Sequence, residues 1–251
     1  MPRKTITAPG DTKAEQITNT GGTGIAWATV RNAATPSASP LGSNKLTQTR
    51  HISASNRYLI QRGLVLYDFR GSPIEQGIKI HKAELILNDL VVGAGSTNGD
   101  KITVGHVFSP TTFGSIHAND YSRARYSTGA STLDTRTSAQ QMTNGASGAL
   151  LTLDNRNLLK QIEKAINGKT YLHLVIRNAL DSGNATPGSG ETNRVWFDRP
   201  NTDNNPMQLR VYYHIINNRK NIGGGGIGRT STSGFGGTNL FCGTSSGFGH
   251  Q

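Results

Sequence analysis

The 251-residue sequence predicts an all-β fold, a two-sheet β-sandwich of jelly-roll type with one short helix and extended, glycine-rich terminal arms. Three observations predict it. Apolar and polar residues alternate with period two through the middle of the chain. Clusters of Gly, Pro, Asn and Ser punctuate those stretches, and one segment carries a helical period.

In chain order, the first strand signal is GIAWATV (24–30), followed by RGLVLYDF (62–69). In KAELILN (82–88), Ala83, Leu85 and Leu87 alternate with Glu84, Ile86 and Asn88. KITVGHVF (101–108) and YLHLVIR (171–177) have the same pattern, the latter with Leu172, Leu174 and Ile176 on one face. After NRVWFD (193–198), MQLRVYYHII (207–216) sets Met207, Leu209, Val211, Tyr213 and Ile215 against Gln208, Arg210, Tyr212 and His214. At least eight strands are expected. The helix is LDNRNLLKQIEKAINGKT, with Asp154 or Asn155 as its cap and Leu158, Leu159, Ile162 and Ile166 on one face. Asn167-Gly168 supplies a left-handed stop, and about three turns suffice to cover one open end of a sandwich.

The chain divides into three regions. Residues 1–50 read as an N-terminal arm with a first strand or two, 51–216 as the sandwich body, and 217–251 as a Gly/Ser-rich tail. Residues 110–149 form a long polar insertion of the kind that is either a functional loop or a disordered one. No apolar run is long enough to span a bilayer, and no apolar stretch comes after the basic N-terminus to make a secretory signal. A single cysteine, Cys242, excludes an intramolecular disulfide framework, so a cytosol-like compartment is expected for synthesis. The net charge of +11 points to acidic partners, but the 26 basic residues are scattered and direct nucleic-acid binding is not expected.

The segment RGLVLYDFRGSPIEQGIKIHKAELILN (62–88) resembles the opening of DNRLRE-type, carbohydrate-binding-module-like β-sandwiches. The matching residues are Leu66, Tyr67 and Asp68, then Pro73, then Ile80, Ala83, Leu85 and Leu87, with Tyr67 standing where that family has Phe. The capped helix with its flanking strands, and RVWFDRPNTDNNPMQLRVYY, are similar to later parts of the same pattern. The resemblance spans roughly residues 57–215 and implies a sandwich fold, with glycan binding among the uses of such domains.

Catalytic and metal signatures are wanting. The seven histidines, His51, His81, His106, His117, His173, His214 and His250, are isolated in sequence, and no zinc spacing occurs. GGGGIG (223–228) fits a dinucleotide-binding string but precedes no helix, and GTSSG (243–247) lacks the strand-turn-helix that would strain Ser245. Asp120, Asp134, Glu191 and Asp198 could pair for glycoside hydrolysis only at a separation that sequence does not fix. Asn98 and Asp100 are too few for a calcium loop. The chain is therefore expected to be non-enzymatic, without cofactor or metal.

For glycan binding the candidates are Tyr121 and Tyr126, flanked by Arg123 and Arg125, together with Trp196. For assembly, the tail repeats Ser-Gly-Phe-Gly, placing Phe235 and Phe248 as aromatic plugs with Leu240 and Phe241 between them. Arg219, Lys220 and Arg229 add charge. Such a tail spans about 30 Å as a coil and on the order of 115 Å extended, a reach suited to neighbouring subunits. The expected function is a structural component of a bacteriophage virion made in the host cytoplasm, either a capsid decoration or a tail-associated protein. It would be oligomeric among other virion subunits and would not enter a membrane. The alternative is a carbohydrate-binding module.

Overall fold

The computed structural model describes residues 3–7, 14–20, 22–36, 38–41, 45–87, 91–92, 101–125, 135–138, 149–196 and 208–216. The chain divides into two units, Met1–Asn217 and Asn218–Gln251, and every described residue lies in the first.

Thirteen strands occur among the described residues. They are β1 (Arg3–Thr7), β2 (Ala14–Thr20), β3 (Ala38–Leu41), β4 (Lys45–Ile52), β5 (Arg57–Asp68), β6 (Ile78–Leu87) and β7 (Val91–Val92). After them come β8 (Lys101–His106), β9 (Thr135–Ser138), β10 (Ala149–Leu153), β11 (Tyr171–Asn178), β12 (Thr192–Trp196) and β13 (Gln208–Ile215). A four-stranded sheet has the order β1-β13-β6-β10, and a nine-stranded sheet runs β7-β12-β4-β5-β11-β8-β9, with β2 on β5 and β3 on β2. All pairings are antiparallel. The all-β, two-sheet sandwich read from the sequence is the fold of the body.

The core lies between the sheets. Ile80, Ala83 and Leu85 of β6 and Leu209 and Val211 of β13 meet Val65 and Tyr67 of β5 and Leu172, Leu174 and Ile176 of β11. Helix α2 (Arg156–Asn167) adds Leu158, Leu159, Ile162, Ala165 and Ile166 to the same cluster. Its N-cap is Asn155, whose side-chain oxygen accepts from the N–H groups of Asn157 and Leu158 at 3.0 and 3.1 Å. The left-handed residue after the helix is Lys169 (φ 50), one position beyond the expected Gly168, which is right-handed. Lys169 Nζ donates to the carbonyls of Ser72 and Ile74, which fixes a conformation that costs a lysine about 1 kcal/mol or more.

Two readings of the N-terminal region are corrected. GIAWATV is not a strand: Trp27–Asn32 form a helix, α1, whose Trp27 and Val30 pack on the outer face of the larger sheet. Residues 1–50 are not an arm with a strand or two. They supply β1, β2, β3, α1 and most of β4 to the two sheets and their cover. Residues 59–61 of β5 pair with both β2 and β4, and 63–65 with both β2 and β11, so the early strands are integral to the sheet. Covered by α1 on one side and the opposite sheet on the other, β5 and β11 are buried almost without interruption.

Candidate functional site

After β8 the chain leaves the sheet as the loop 107–125, which two buried or half-buried polar residues fasten. Asp120 accepts through Oδ1 from the N–H and hydroxyl of Thr111 at 2.6 and 2.7 Å, and through Oδ2 from the N–H of His117 at 3.0 Å. Arg125 Nε donates to the Asn119 carbonyl at 3.0 Å and its Nη1 to the Ser109 carbonyl at 2.6 Å. The loop ends are thus tied by charge-assisted bonds and its tip is held in one shape.

That tip is Phe113-Gly114. Gly114 has φ +85, and a Cβ there would stand 2.7 Å from Tyr171 Cε2, so glycine is required on both counts. Its N–H donates to His173 Nε2 at 3.3 Å. Phe113 meets Tyr171 edge-on with ring centroids 5.3 Å apart and lies 6.0 Å from the His173 ring. The Arg70 guanidinium sits 4.4 Å from the Tyr171 ring centre. Between this tip and α2 opens a groove of about 280 Å³, lined by His106, Phe108, Phe113, Gln161, Lys164 and His173 among others. Phe113 is 64% exposed and Phe108 45%, so both leave aromatic surface to solvent.

The electrostatics of the groove are one-sided. Burial pushes the His106 imidazole down to about 4, with the charges of His173 and Lys164 acting in the same sense. Burial lowers His173 as well, against a smaller upward pull from Asp120. Both rings are therefore neutral near pH 7. Because His173 Nε2 accepts from Gly114, its proton resides on Nδ1. Lys164 is the one charged side chain among the described lining residues. The arrangement offers aromatic faces, an amide, an ammonium and neutral imidazoles, a set suited to holding a polar ring-shaped ligand.

The sequence-selected glycan residues are placed differently. Tyr121 is fully buried; its hydroxyl donates to the Val30 carbonyl at 3.1 Å and Arg62 covers its ring at 4.1 Å, so it offers no stacking face. Arg123 donates to Asn32 Oδ1 at 2.9 Å, and Arg125 ties the loop ends. Trp196 closes β12, but its side chain lies outside the described residues, as do Tyr126 and the assembly residues Arg219, Lys220, Arg229, Phe235, Leu240, Phe241 and Phe248. Of the carboxylates, Asp120 staples the loop and Glu191 accepts from the Gly188 N–H at 2.5 Å in a turn. Asp134 and Asp198 lie outside the described residues.

Sequence reading missed Phe113, which lies in the same polar loop that drew attention to Tyr121, and Phe108, which it takes as the end of a strand. It also missed that histidines isolated in sequence meet in space: His106 and His173 share the groove, and His81 contacts His214 on the other sheet. Beneath α1, Arg62, Arg31 and Arg177 surround Asp181 of helix α3 (Ala179–Gly183), all four buried. No protein-family model and no curated protein sequence matches the chain.

Proposed function

We propose that the chain is a non-enzymatic structural component of a large assembly, a bacteriophage virion, with the sandwich as its body and residues 217–251 as its docking tail. The observation that carries this reading is the division of the chain at Asn217/Asn218, directly after the last strand of the body. The sequence beyond that division is glycine-rich and repeats Ser-Gly-Phe-Gly around Phe235 and Phe248. Ordering such a segment costs on the order of 1–2 kcal/mol per residue, which contacts with neighbouring subunits would offset through the four apolar anchors. Removing residues after Ile216 tests it. The shortened chain is expected to fold and stay soluble yet fail to enter particles assembled from its virion partners. Normal incorporation would remove the docking role.

A second reading, a carbohydrate-binding module, is favoured by the exposed Phe113 and Phe108 over the groove. The two readings join if the protein displays the groove on a particle surface toward host glycans. Glycan-array binding that Phe113→Ala and Phe108→Ala abolish, with folding intact, supports the module. Array signal unchanged by both substitutions moves any glycan site elsewhere.

A further inference from the structure

We propose that His81 and His214 form a two-histidine site for a divalent cation of the zinc, nickel or copper type, on the outer face of the four-stranded sheet. The site is independent of the docking and glycan readings.

The site begins with an irregularity in strand pairing. Lys82 is opposite Tyr212 while Ile80 is opposite Tyr213, so His81 is an extra residue on β6. A bulge of this kind re-aims the side chain at its centre. Here it brings the His81 ring edge to edge with that of His214, centroids 4.5 Å apart and planes 26° from parallel. His81 Nε2 meets His214 Nδ1 directly.

Two imidazole lone pairs do not face each other unless something electron-poor lies between them. That is either a single proton or a metal ion. Three features make the metal feasible. Both rings are exposed, so a cation enters without burying an unpaired charge. The two donor nitrogens sit on adjacent, hydrogen-bonded strands, which holds them together before any ligand arrives. The pair also adjoins open space: His81 lines a cleft of about 570 Å³, leaving room for water to complete the coordination shell.

The surroundings decide which metal. The cleft carries Lys79, Arg156 and Lys160 against Asp154 and Glu163, and Glu163 is already engaged by Lys79 Nζ at 3.3 Å and the Ile80 N–H at 3.0 Å. Hard Ca²⁺ and Mg²⁺, which need several oxygen ligands, are poorly served by two imidazole nitrogens with Glu163 already engaged. Imidazole donors suit Zn²⁺, Ni²⁺ and Cu²⁺. Metal–nitrogen bonds of roughly 2.0–2.1 Å require only that the two exposed rings swing slightly apart. No group of three or more histidine, cysteine or carboxylate ligands occurs among the described residues, so these supply two ligands and water completes the shell.

Calorimetric titration of the full chain with ZnCl₂ and with NiCl₂ tests the site, in a Cys242→Ser background that removes the only thiol. One equivalent is expected, with affinity falling at least tenfold in His81→Gln and in His214→Gln. Cu²⁺ bound to the same protein should show an electron paramagnetic signature of two nitrogen ligands that each substitution reduces. Circular dichroism and thermal unfolding establish that both variants are folded. The proposal is overturned if the parent shows no saturable binding, the result expected when a shared proton alone joins the rings. It is equally overturned if both variants bind like the parent.

Discussion

Arg62 grips Asp181 with two parallel hydrogen bonds, Nε to Oδ2 at 2.7 Å and Nη2 to Oδ1 at 2.8 Å, and both residues are buried. The same guanidinium donates to the Tyr121 carbonyl at 2.5 Å and the Arg31 carbonyl at 2.8 Å. One side chain on β5 therefore binds α1, the loop 107–125 and α3 to the outer face of the larger sheet. Burial alone would raise the Asp181 carboxyl, but the charge and hydrogen bonds of Arg62, with Arg177 and Arg31, hold it below the usual carboxylate range. Burial lowers Arg31 to about 10, a value at which it still carries its charge near neutrality. Asp181→Asn leaves the buried guanidinium groups without a countercharge and is expected to cost about 3–5 kcal/mol. Urea unfolding checks it, and a loss under about 1 kcal/mol would show that the cluster does not organise this face.

Tyr67 tests the core between the sheets. Its ring is fully buried beside Phe69, and its hydroxyl has no hydrogen-bond partner among the described residues. Burial pushes the phenol upward, so it stays protonated throughout the accessible pH range. Tyr67→Phe removes the unpaired group without changing the packing and is expected to be neutral or to stabilise by about 1 kcal/mol. Denaturant titration reads the sign. A loss of more than about 1 kcal/mol would reveal a partner for the hydroxyl.

Much of this fold was legible because period-two patterning survives wherever one face of a strand meets the core and the other does not. β6 and β13 are of that kind, and α2 declared itself by Leu158, Leu159, Ile162 and Ile166 at helical spacing behind an Asn cap. α1 was misread because GIAWATV has strand-favouring residues and alternation, while its helical state is set by packing on Ile60, Leu64 and Val175, far along the chain. The groove was less legible still. Tyr121 and Phe113 share one loop, and which aromatic turns inward depends on Arg62 and Val30, not on neighbours in sequence. For His81 and His214, 133 residues apart, alternation gives the face of each, but only the bulge gives the contact.

Gly114→Ala addresses the groove directly. The substitution meets left-handed backbone strain and a close approach to Tyr171 together, and a loss of about 1–3 kcal/mol is expected. Thermal unfolding measures the cost, and altered proton chemical shifts of the Tyr171 and Phe113 rings would report the displaced tip. Unchanged stability and unchanged ring shifts would mean that the loop accommodates a side chain there.

His106 makes the fold acid-sensitive. Its folded value of about 4 lies below the ordinary value of 6.5, so the unfolded chain binds the proton more readily. The stabilisation is full above about pH 6.5 and is lost as pH falls toward 4, amounting to roughly 3 kcal/mol at most. His173 is lowered too and acts in the same direction. Replacing His106 with Gln should flatten the stability profile between pH 6.5 and 4. An equally steep profile in the variant would assign the acid sensitivity to other groups.

The proposed docking role rests on Phe235 and Phe248 of the tail, and the direct measurement is particle incorporation of a full-length Phe235→Ser/Phe248→Ser variant. The body has its own core and its last strand ends at Ile215, so the variant should unfold at the same temperature as the parent. It should nonetheless be lost from purified particles. Incorporation at the parental level would contradict the account.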